Sequence, residues 1–144
     1  MDAKDELTGG CLCGAVRYKV EGAPLMASHC ACRHCQKASG AGHTTVLGMN
    51  VDQLSFSGEV KTFSVRGDSG GMVTRHFCPT CGSRLFTSAE NFSDLRFVQM
   101  GTLDDPSAVT PTMAIYRKVA AAWDHIDPSL PLHEAMPPMH DPAG

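Results

Sequence analysis

The sequence predicts a mainly β fold, arranged as a sandwich or a barrel-like pair of sheets, and three observations support this prediction. Short segments with apolar residues at every second position recur along the chain, as in Val16, Tyr18 and Val20. Gly, Asp, Asn or Pro bound most of these segments at a spacing of about ten residues, which is typical of all-β folds rather than of βαβ units. Amphipathic helical patterns are scarce, so little helix is expected.

Eight strands are predicted, and the first of them has the clearest alternation. The predicted strands are 15–20, 43–49, 53–57, 60–65, Met72–Phe77, 84–87, 95–100 and 112–117. Ser57-Gly58-Glu59 is interpreted as the turn of a hairpin between the strands on either side.

Helix is predicted at few places. A short helix covers Arg33–Ser39 and ends at Gly40, which is a glycine C-cap. A further short helix is expected after Asp104-Asp105-Pro106. Residues 118–123 permit a helix, but so short a stretch is marginal on its own.

The length and composition indicate one globular domain. The chain has 144 residues, of which 42% are hydrophobic and 19% are charged, and these values exclude a disordered chain and a coiled coil. Residues 1–137 are predicted to form the domain and residues 138–144 a mobile tail. A net charge of −3 gives no long-range attraction for nucleic acid or for an anionic membrane. The polar N-terminus and the lack of a long apolar run predict a cytoplasmic protein.

Seven cysteines stand out, and their placement indicates metal binding. An odd number does not close into intramolecular disulfides, and a reducing cytoplasm would not keep such bridges oxidised. All seven fall into three tight clusters, which are Cys11 and Cys13, then Cys30, Cys32 and Cys35, then Cys78 and Cys81. Cysteines that act as buried small hydrophobes would scatter more evenly. A redox Cys-x-x-Cys pair would open a helix, whereas the residues around the last cluster are strand-like on both sides. We therefore predict a zinc protein.

Seven thiolate ligands fit one closed site of four cysteines and one open site of three, which is the difference between structural and catalytic zinc. The spacing alone allows two groupings. The zinc-ribbon grouping combines Cys32 and Cys35 with Cys78 and Cys81. The other grouping closes the four-ligand site with Cys11, Cys13, Cys78 and Cys81 and leaves Cys30, Cys32 and Cys35 together. The second is more economical, because one short loop then supplies all three ligands of the open site.

Three motifs resemble those of one enzyme family. They are Gly10-Cys11-Leu12-Cys13-Gly14-Ala15-Val16-Arg17-Tyr18, the Cys30-x-Cys32-x-x-Cys35 loop followed by Lys37 and Gly40, and Phe77-Cys78-x-x-Cys81-Gly82-Ser83. In order and spacing they resemble the glutathione-dependent formaldehyde-activating enzyme family, also called the Gfa and centromere-protein-V domain, over residues 8–137. The resemblance implies an Mss4-like fold of small antiparallel sheets around zinc sites.

The resemblance also implies an activity and the roles of the cysteines. The family's structural zinc is held by the cysteines that match Cys11, Cys13, Cys78 and Cys81. Its catalytic zinc is held by those that match Cys30, Cys32 and Cys35, so two zinc ions per chain are expected, the second of them labile. The implied reaction adds glutathione or a similar thiol to formaldehyde or another small aldehyde, and its reverse is that of a carbon–sulfur lyase.

The expected partners are therefore a small-molecule thiol and an aldehyde, with no nucleic acid and no membrane, and a homodimer stays open. The chain departs from the family at Ala114, where Pro-x-x-His-Ile commonly places a histidine, and at Ala31, where many relatives have a polar residue.

Charged and aromatic side chains near the clusters complete the expectations. The basic residues beside the clusters are Arg33, His34, Lys37, Arg75, His76 and Arg84. They either neutralise thiolates or attract an anionic thiol such as glutathione, and both interpretations stay open. His29, His43 and His76 are expected to be surface or packing residues, and Trp123 and Phe97 are expected to anchor the core.

At the open site, zinc can hold the incoming thiol as a thiolate or polarise the aldehyde oxygen. Three anionic ligands make the ion a poor Lewis acid, so thiolate delivery is favoured. The alternative function is a non-catalytic zinc-binding module that binds a protein partner, and zinc content together with turnover would distinguish the two.

Overall fold

The computed structural model describes residues 6–137, and these residues divide into two compact units. Unit 1 is formed by the described residues among 1–27 and 46–110, and unit 2 by those among 28–45 and 111–144. Each unit therefore combines two stretches of chain that are distant in sequence. The single domain over residues 1–137 stays a prediction, and the predicted mobile tail, residues 138–144, lies outside the described residues.

Ten β-strands and one α-helix form the regular structure of the described part of the chain. The strands are β1 Glu6–Gly10, β2 Arg17–Glu21, β3 Met26–Cys30, β4 Thr44–Asn50, β5 Leu54–Ser57, β6 Lys61–Arg66, β7 Met72–Phe77, β8 Arg84–Ala89, β9 Leu95–Gln99 and β10 Met113–Ile115. Helix α1 covers Arg33–Ser39, and single turns of 3₁₀-helix cover Val51–Gln53, Glu90–Phe92, Met100–Thr102 and Arg117–Val119. The prediction of a mainly β fold is confirmed. Between residues 6 and 137 no helix combines the length and the apolar composition that crossing a membrane requires.

Unit 1 contains two antiparallel groups of strands. In the first group β2 lies between β1 and β5, and Leu7 faces Val20 across the β1–β2 pair. In the second group β4, β9, β8, β7 and β6 follow one another in that order. Side chains alternate between the two faces of a strand, and β2 accordingly buries Tyr18 and Val20 while its other residues are exposed. The predicted alternation of this strand is thus confirmed.

The core of unit 1 is formed by the inward faces of these strands. Its buried residues are Leu7, Cys11, Val16, Tyr18, Val20, Ala27, Leu47, Met49, Cys78, Leu85, Phe86, Val98, Met100 and Leu103. Burying one large aliphatic side chain contributes about 2 kcal/mol to the free energy of folding. Two cysteines belong to this core, so packing fixes the loops that carry them.

Unit 2 contains one parallel pair of strands. β10 runs parallel to β3, with Ala114 beside His29 and Ile115 beside Cys30. The backbone N–H of Ala31 extends the pairing by donating to the carbonyl of Ile115 at 3.1 Å. This pair differs from the antiparallel sheets that the family resemblance implies. It also fixes the backbone around Cys30.

Helix α1 of unit 2 begins and ends as the sequence predicts. Cys32 is its N-cap and accepts a hydrogen bond at Sγ from the N–H of Cys35 at 3.2 Å. Gly40 is its C-cap, with a φ of +73°, and donates its N–H to the carbonyl of Gln36 at 2.8 Å. Glycine adopts such a φ without the strain that a side chain would cause. The position of Gly40 therefore predicts the C-terminal end of α1.

All eight predicted strands are present, with ends that shift by at most two residues. Two strands, β1 and β3, are additional to the prediction. β1 ends in two glycines, and β3 buries Ala27 and Ser28 next to each other. Neither sequence therefore shows the alternation on which strand prediction depends.

Two further predictions are wrong, one of a hairpin turn and one of a short helix. Ser57-Gly58-Glu59 does not close a hairpin, because β5 pairs with β2 while β6 pairs with β7. Gly58 instead has a φ of +100° where a Cβ atom would lie 2.3 Å from the carbonyl oxygen of Ala15. The residues after Asp104-Asp105-Pro106 form turns rather than a helix, because the carboxylate of Asp104 is held by Arg17 and Thr8.

The prediction that Trp123 anchors the core is also wrong. Its side chain is 68% exposed, and the next residue, Asp124, is 9% exposed. Asp124 turns inward because Arg117 and His43 bind its carboxylate, and the neighbouring indole faces outward. Phe97 is half-buried on β9.

Candidate metal centres

The first cysteine cluster joins two loops of unit 1. Cys11 directly follows β1 and Cys13 lies in the same turn, while Cys78 directly follows β7 and Cys81 lies in the turn before β8. All four Sγ atoms lie within 4.8 Å of one another. The separations are 3.6 Å between Cys11 and Cys13 and 3.8 Å between Cys13 and Cys78. We call this group the four-cysteine cluster.

The two loops of the four-cysteine cluster have the same backbone pattern. A glycine with positive φ directly follows the second cysteine of each loop, at Gly14 with +83° and at Gly82 with +78°. Each glycine N–H donates to the carbonyl of the first cysteine, at 3.1 Å for Cys11 and 2.9 Å for Cys78. The positive φ at Gly14 and at Gly82 lets both cysteines of each loop face the same point.

Hydrogen bonds to some of these sulfur atoms favour the thiolate form over the thiol. The N–H of Val16 donates to Sγ of Cys11 at 3.2 Å. Ser83 Oγ lies 3.3 Å from Sγ of Cys81, and hydrogen bonds from the side chain and backbone of Ser83 lower the pKa of Cys81 to about 5. At Cys13 a backbone N–H lowers the pKa, but the thiol of Cys11 and burial outweigh it and raise that pKa to about 11.

The second group, the three-cysteine cluster, lies in unit 2 within six consecutive residues. Cys30 ends β3, Cys32 caps α1, and Cys35 lies in the first turn of α1. Their Sγ atoms lie within 4.8 Å of one another, with 3.5 Å between Cys30 and Cys35. The three thiols therefore come from the end of one strand and the start of the helix that follows it.

Gln36 fixes the loop that carries the three-cysteine cluster. Its Nε2 donates to the carbonyl of Ala31 at 2.7 Å and to the carbonyl of Val119 at 3.0 Å. Arg33 in turn donates to Oε1 of Gln36, and the glutamine is 8% exposed. A buried amide with all these partners holds Ala31, and hence both flanking cysteines, in place. Sequence reasoning missed this residue, because a glutamine in a short helix gives no signal of its distant partners.

Both clusters fit a metal ion with tetrahedral sulfur coordination. A zinc–sulfur bond of about 2.3 Å places sulfur atoms about 3.8 Å apart at the corners of a tetrahedron. The separations of 3.5, 3.6 and 3.8 Å are close to this value and far longer than a disulfide bond of about 2.0 Å. The thiols of Cys32 and Cys35, together with burial, also raise the pKa of Cys30 well above its ordinary value. A bound cation would stabilise the thiolate form that burial and the neighbouring thiols disfavour. Both clusters could therefore hold a metal ion.

Of the two groupings that the sequence allows, the sulfur positions follow the second. Cys11, Cys13, Cys78 and Cys81 come together in unit 1, and Cys30, Cys32 and Cys35 come together in unit 2. The flanking strands β7 and β8 agree with the interpretation of Cys78-Pro79-Thr80-Cys81 as a ligand loop between strands rather than a redox pair at a helix start. The metal identity and the structural and catalytic roles of the clusters stay predictions.

The basic and histidine residues named from the sequence lie in different settings. Arg33 and Lys37 are exposed on α1, beside the three-cysteine cluster in sequence. The ring of His76 stacks on that of Phe86 with 4.3 Å between centroids and 14° between planes. His76 is thus a packing residue, whereas His29 and His43 have more specific partners.

A network of polar side chains in unit 2 escaped the sequence analysis. Arg117 donates to Oδ2 of Asp124 at 2.7 Å, and Nδ1 of His43 lies 2.7 Å from the other carboxylate oxygen. The rings of His43 and His29 meet edge to face at 4.8 Å, and Nδ1 of His29 lies 2.8 Å from the hydroxyl of Thr45. His43 and Asp124 are 81 positions apart in the chain, so no local pattern indicates their contact.

A sequence profile of the glutathione-dependent formaldehyde-activating enzyme family matches residues 6–119. The chain belongs to this family. The match covers all seven cysteines and confirms the resemblance seen in the cysteine motifs.

The chain is similar to one curated protein in sequence and to one solved structure in fold. A protein of Halomonas elongata, provisionally named a glutathione-dependent formaldehyde-activating enzyme, is 33% identical over 94 residues, which are 62% of this chain and 60% of that protein. The chain thus spans 60% of the length of the curated relative it matches. A crystal structure of a Rhodobacter sphaeroides protein, a structural genomics target, matches with a TM-score of 0.55 and 22% identity, over 72% of this chain and 91% of the other. At that identity the likeness concerns the fold alone.

Proposed function

We propose that the protein is a zinc-dependent enzyme that adds glutathione or a similar thiol to formaldehyde or another small aldehyde. The reverse reaction is that of a carbon–sulfur lyase. The observation that carries this proposal is the three-cysteine cluster, in which Cys30, Cys32 and Cys35 bring their Sγ atoms within 4.8 Å of one another. Three protein ligands and one position for a ligand from solution are typical of catalytic zinc, whereas four protein ligands are typical of structural zinc. Family membership supplies the substrate class.

The two clusters have different tasks in this proposal. Cys11, Cys13, Cys78 and Cys81 hold a structural zinc ion, because they join two distant loops next to the core of unit 1. Cys30, Cys32 and Cys35 hold the catalytic ion, giving two zinc ions per chain. The second ion is the more labile, since three ligands hold it and the fourth position exchanges with solvent. Seven free thiols also favour the cytoplasm, where the reducing thiol pool keeps them available.

A zinc ion held by Cys30, Cys32 and Cys35 would supply a position for a substrate thiol and would favour its thiolate form at neutral pH. In the addition, the substrate sulfur attacks the carbonyl carbon, a carbon–sulfur bond forms, and the carbonyl oxygen takes up a proton. The chain contributes rigidity, because Gln36 and the N-cap of α1 hold the three sulfur atoms in one arrangement. Pre-positioned ligands lower the reorganisation that the reaction requires.

The charges around the three-cysteine cluster suit an anionic thiol. Arg33 and Lys37 are exposed on α1, the helix that carries Cys35. Glutathione carries net negative charge at neutral pH, so these cations raise its local concentration near the cluster. Their effect should weaken with salt, because exposed charges are screened over about 8 Å at physiological ionic strength.

Cys32→Ser tests the proposal with little risk to the fold. Serine is a good N-cap, so its hydroxyl can accept the hydrogen bond of Cys35 and keep α1 intact while one thiolate is lost. We expect this variant to keep its circular dichroism spectrum and one zinc ion per chain, and to lose turnover of ¹³C-formaldehyde with glutathione followed by NMR exchange spectroscopy. Cys32→Ala, which removes the cap as well, is the matched control for loss of the helix.

Two outcomes would contradict the proposal. Full turnover by Cys32→Ser would show that the cluster is not catalytic. A wild-type protein that binds two zinc ions but accelerates no thiol and aldehyde pair, with glutathione, cysteine and coenzyme A as the thiols tested, would favour the non-catalytic binding module instead.

A further inference from the structure

Unit 2 contains a hydrogen-bonded pair of titratable side chains that the proposed function leaves without a task. Nδ1 of His43 lies 2.7 Å from Oδ1 of Asp124. Arg117 donates to Oδ2 of the same carboxylate at 2.7 Å and to the Asp124 carbonyl oxygen at 2.8 Å. The side chain of Asp124 is 7% exposed and that of His43 is 23% exposed. The carboxylate is therefore withdrawn from water, while the imidazole stays accessible.

Asp124 determines which nitrogen of His43 exchanges protons. A carboxylate only accepts hydrogen bonds, so Nδ1 of His43 carries a proton and the exchanging nitrogen is Nε2. Burial alone would raise the pKa of Asp124, but the hydrogen bonds from Arg117 and His43 outweigh it and hold the pKa below its ordinary value. Asp124 is thus an anion that accepts the Nδ1–H of His43 and fixes the orientation of the ring.

The backbone next to His43 is shaped around this carboxylate. A Cβ atom at Gly42 would lie 2.4 Å from Oδ1 of Asp124, so any other residue there would displace the carboxylate from His43. The charge of Asp124 is already balanced by Arg117, and a histidine on the second oxygen is not needed for that balance. A histidine oriented by a buried carboxylate is the arrangement that proteins use for proton transfer.

One ring contact links the pair to the strand that carries Cys30. The ring of His43 contacts the ring of His29 edge to face, with 4.8 Å between centroids. His29 directly precedes Cys30 on β3, and its own Nδ1 lies 2.8 Å from the hydroxyl of Thr45. The charged and titratable groups that surround His43 are therefore His29, Asp124 and Arg117, all of them in unit 2 with the cluster.

We propose that His43 transfers the proton during thiol addition and that Asp124 is its positioning residue, an inference that rests on the proposed function. Nε2 of His43 takes the proton that the substrate thiol gives up on becoming a thiolate, and the thiolate sulfur then attacks the carbonyl carbon to form the carbon–sulfur bond. The electrons of the carbonyl π bond move to its oxygen, and His43 returns the proton to that oxygen. The product is a neutral hemithioacetal, His43 regains its starting state, and no oxidant or further reactant is consumed.

His43→Gln tests the role of the histidine, and His125→Gln is its matched control. His125 is exposed and adjoins Asp124 in sequence, whereas glutamine at position 43 keeps an amide that can still donate to Asp124. We expect His43→Gln to lower kcat/KM for glutathione and formaldehyde by about 10²- to 10⁴-fold, with unchanged zinc content and melting temperature, and His125→Gln to behave as wild type.

The positioning role of Asp124 has a readout that does not depend on turnover. The ¹⁵N chemical shifts of the His43 ring should report a proton on Nδ1 in the wild-type protein and a mixture of tautomers in Asp124→Asn. A neutral wild-type ring that carries its proton on Nε2 instead of Nδ1 would overturn the role of Asp124, and this result requires no variant. An active wild-type enzyme with His43→Gln as fast as His125→Gln would overturn the role of His43 alone, whereas a wild-type protein without turnover would remove the proposed function and this inference together.

Discussion

Replacing Cys78 with serine should destabilise the protein more than replacing Cys35, because the two clusters close very different lengths of chain. Cys13 and Cys78 lie 65 positions apart, whereas Cys30 and Cys35 lie 5 apart. When each cluster holds an ion, it acts as a cross-link that restricts the unfolded chain. The longer closed segment gives the larger restriction.

The expected magnitudes follow from the segment lengths. Closing about 65 residues removes about 4 kcal/mol of chain entropy from the unfolded state, and closing about 5 residues removes about 2 kcal/mol. One kcal/mol changes the melting temperature of a chain of this size by roughly 3 °C. Cys78→Ser should therefore lower the Tm by about 12 °C and Cys35→Ser by about 6 °C. Cys78 is also fully buried, and a serine hydroxyl left there without a partner adds to the loss.

Thermal unfolding of the zinc-loaded proteins, followed by far-UV circular dichroism, measures the Tm of both variants against wild type. Zinc content is determined on the same samples, so that each loss of stability is matched to the ion that is missing. Wild-type protein treated with a strong chelator should unfold at least as easily as Cys78→Ser. Equal losses for the two variants, or a Cys78→Ser protein as stable as wild type, would refute the cross-link reasoning.

Three further predictions concern the fold of unit 1. Leu47→Ala empties a fully buried position and should lower the free energy of unfolding in urea by about 2–5 kcal/mol, so a negligible change would contradict the described core. Gly58→Ala should lower the Tm more than Gly70→Ala, because φ is positive at both glycines but only at Gly58 would a Cβ atom meet a backbone oxygen, at 2.3 Å; equal melting curves would contradict this close approach. The hydrogen bond from Arg17 lowers the pKa of Asp104 to about 2, so the carboxylate stabilises the fold fully above its unfolded pKa of about 4 and stops doing so as the pH falls to about 2. Melting curves of wild type and Asp104→Asn should accordingly converge over that range, and a difference independent of pH would contradict the ion pair.

Elements with a local physical signal could be predicted from the sequence. The ends of α1 follow from a cap at each end, and β7 follows from strand-forming residues bounded by a glycine pair and a Cys-Pro turn. β3 could not be predicted, because its position is set by the parallel partner β10, more than eighty residues further along the chain. Gly58 was misinterpreted for a related reason: a glycine shows that the backbone turns, but not which strands it then joins.

The candidate site divides in the same way. Clustered cysteines indicate metal ligands from spacing alone, because chelation by neighbouring residues is a local property. The choice between two groupings of the seven required the three-dimensional arrangement. Gln36 and the pair His43 and Asp124 leave no trace in a single sequence, since a buried amide or carboxylate is recognised only by its partners, which here lie 83 and 81 positions away.

The spacing of the cysteines also determines when each cluster can close during synthesis of the chain. All three thiols of the three-cysteine cluster are present as soon as Cys35 has been added, whereas Cys13 waits for Cys78, 65 residues later. At about 5–20 residues per second, that wait is roughly 3–13 seconds. During it the nearest thiols to Cys11 and Cys13 are those of Cys30, Cys32 and Cys35, which belong to the other cluster. A metal ion that binds a mixture of these five thiols during the wait must therefore exchange ligands before the mature arrangement forms.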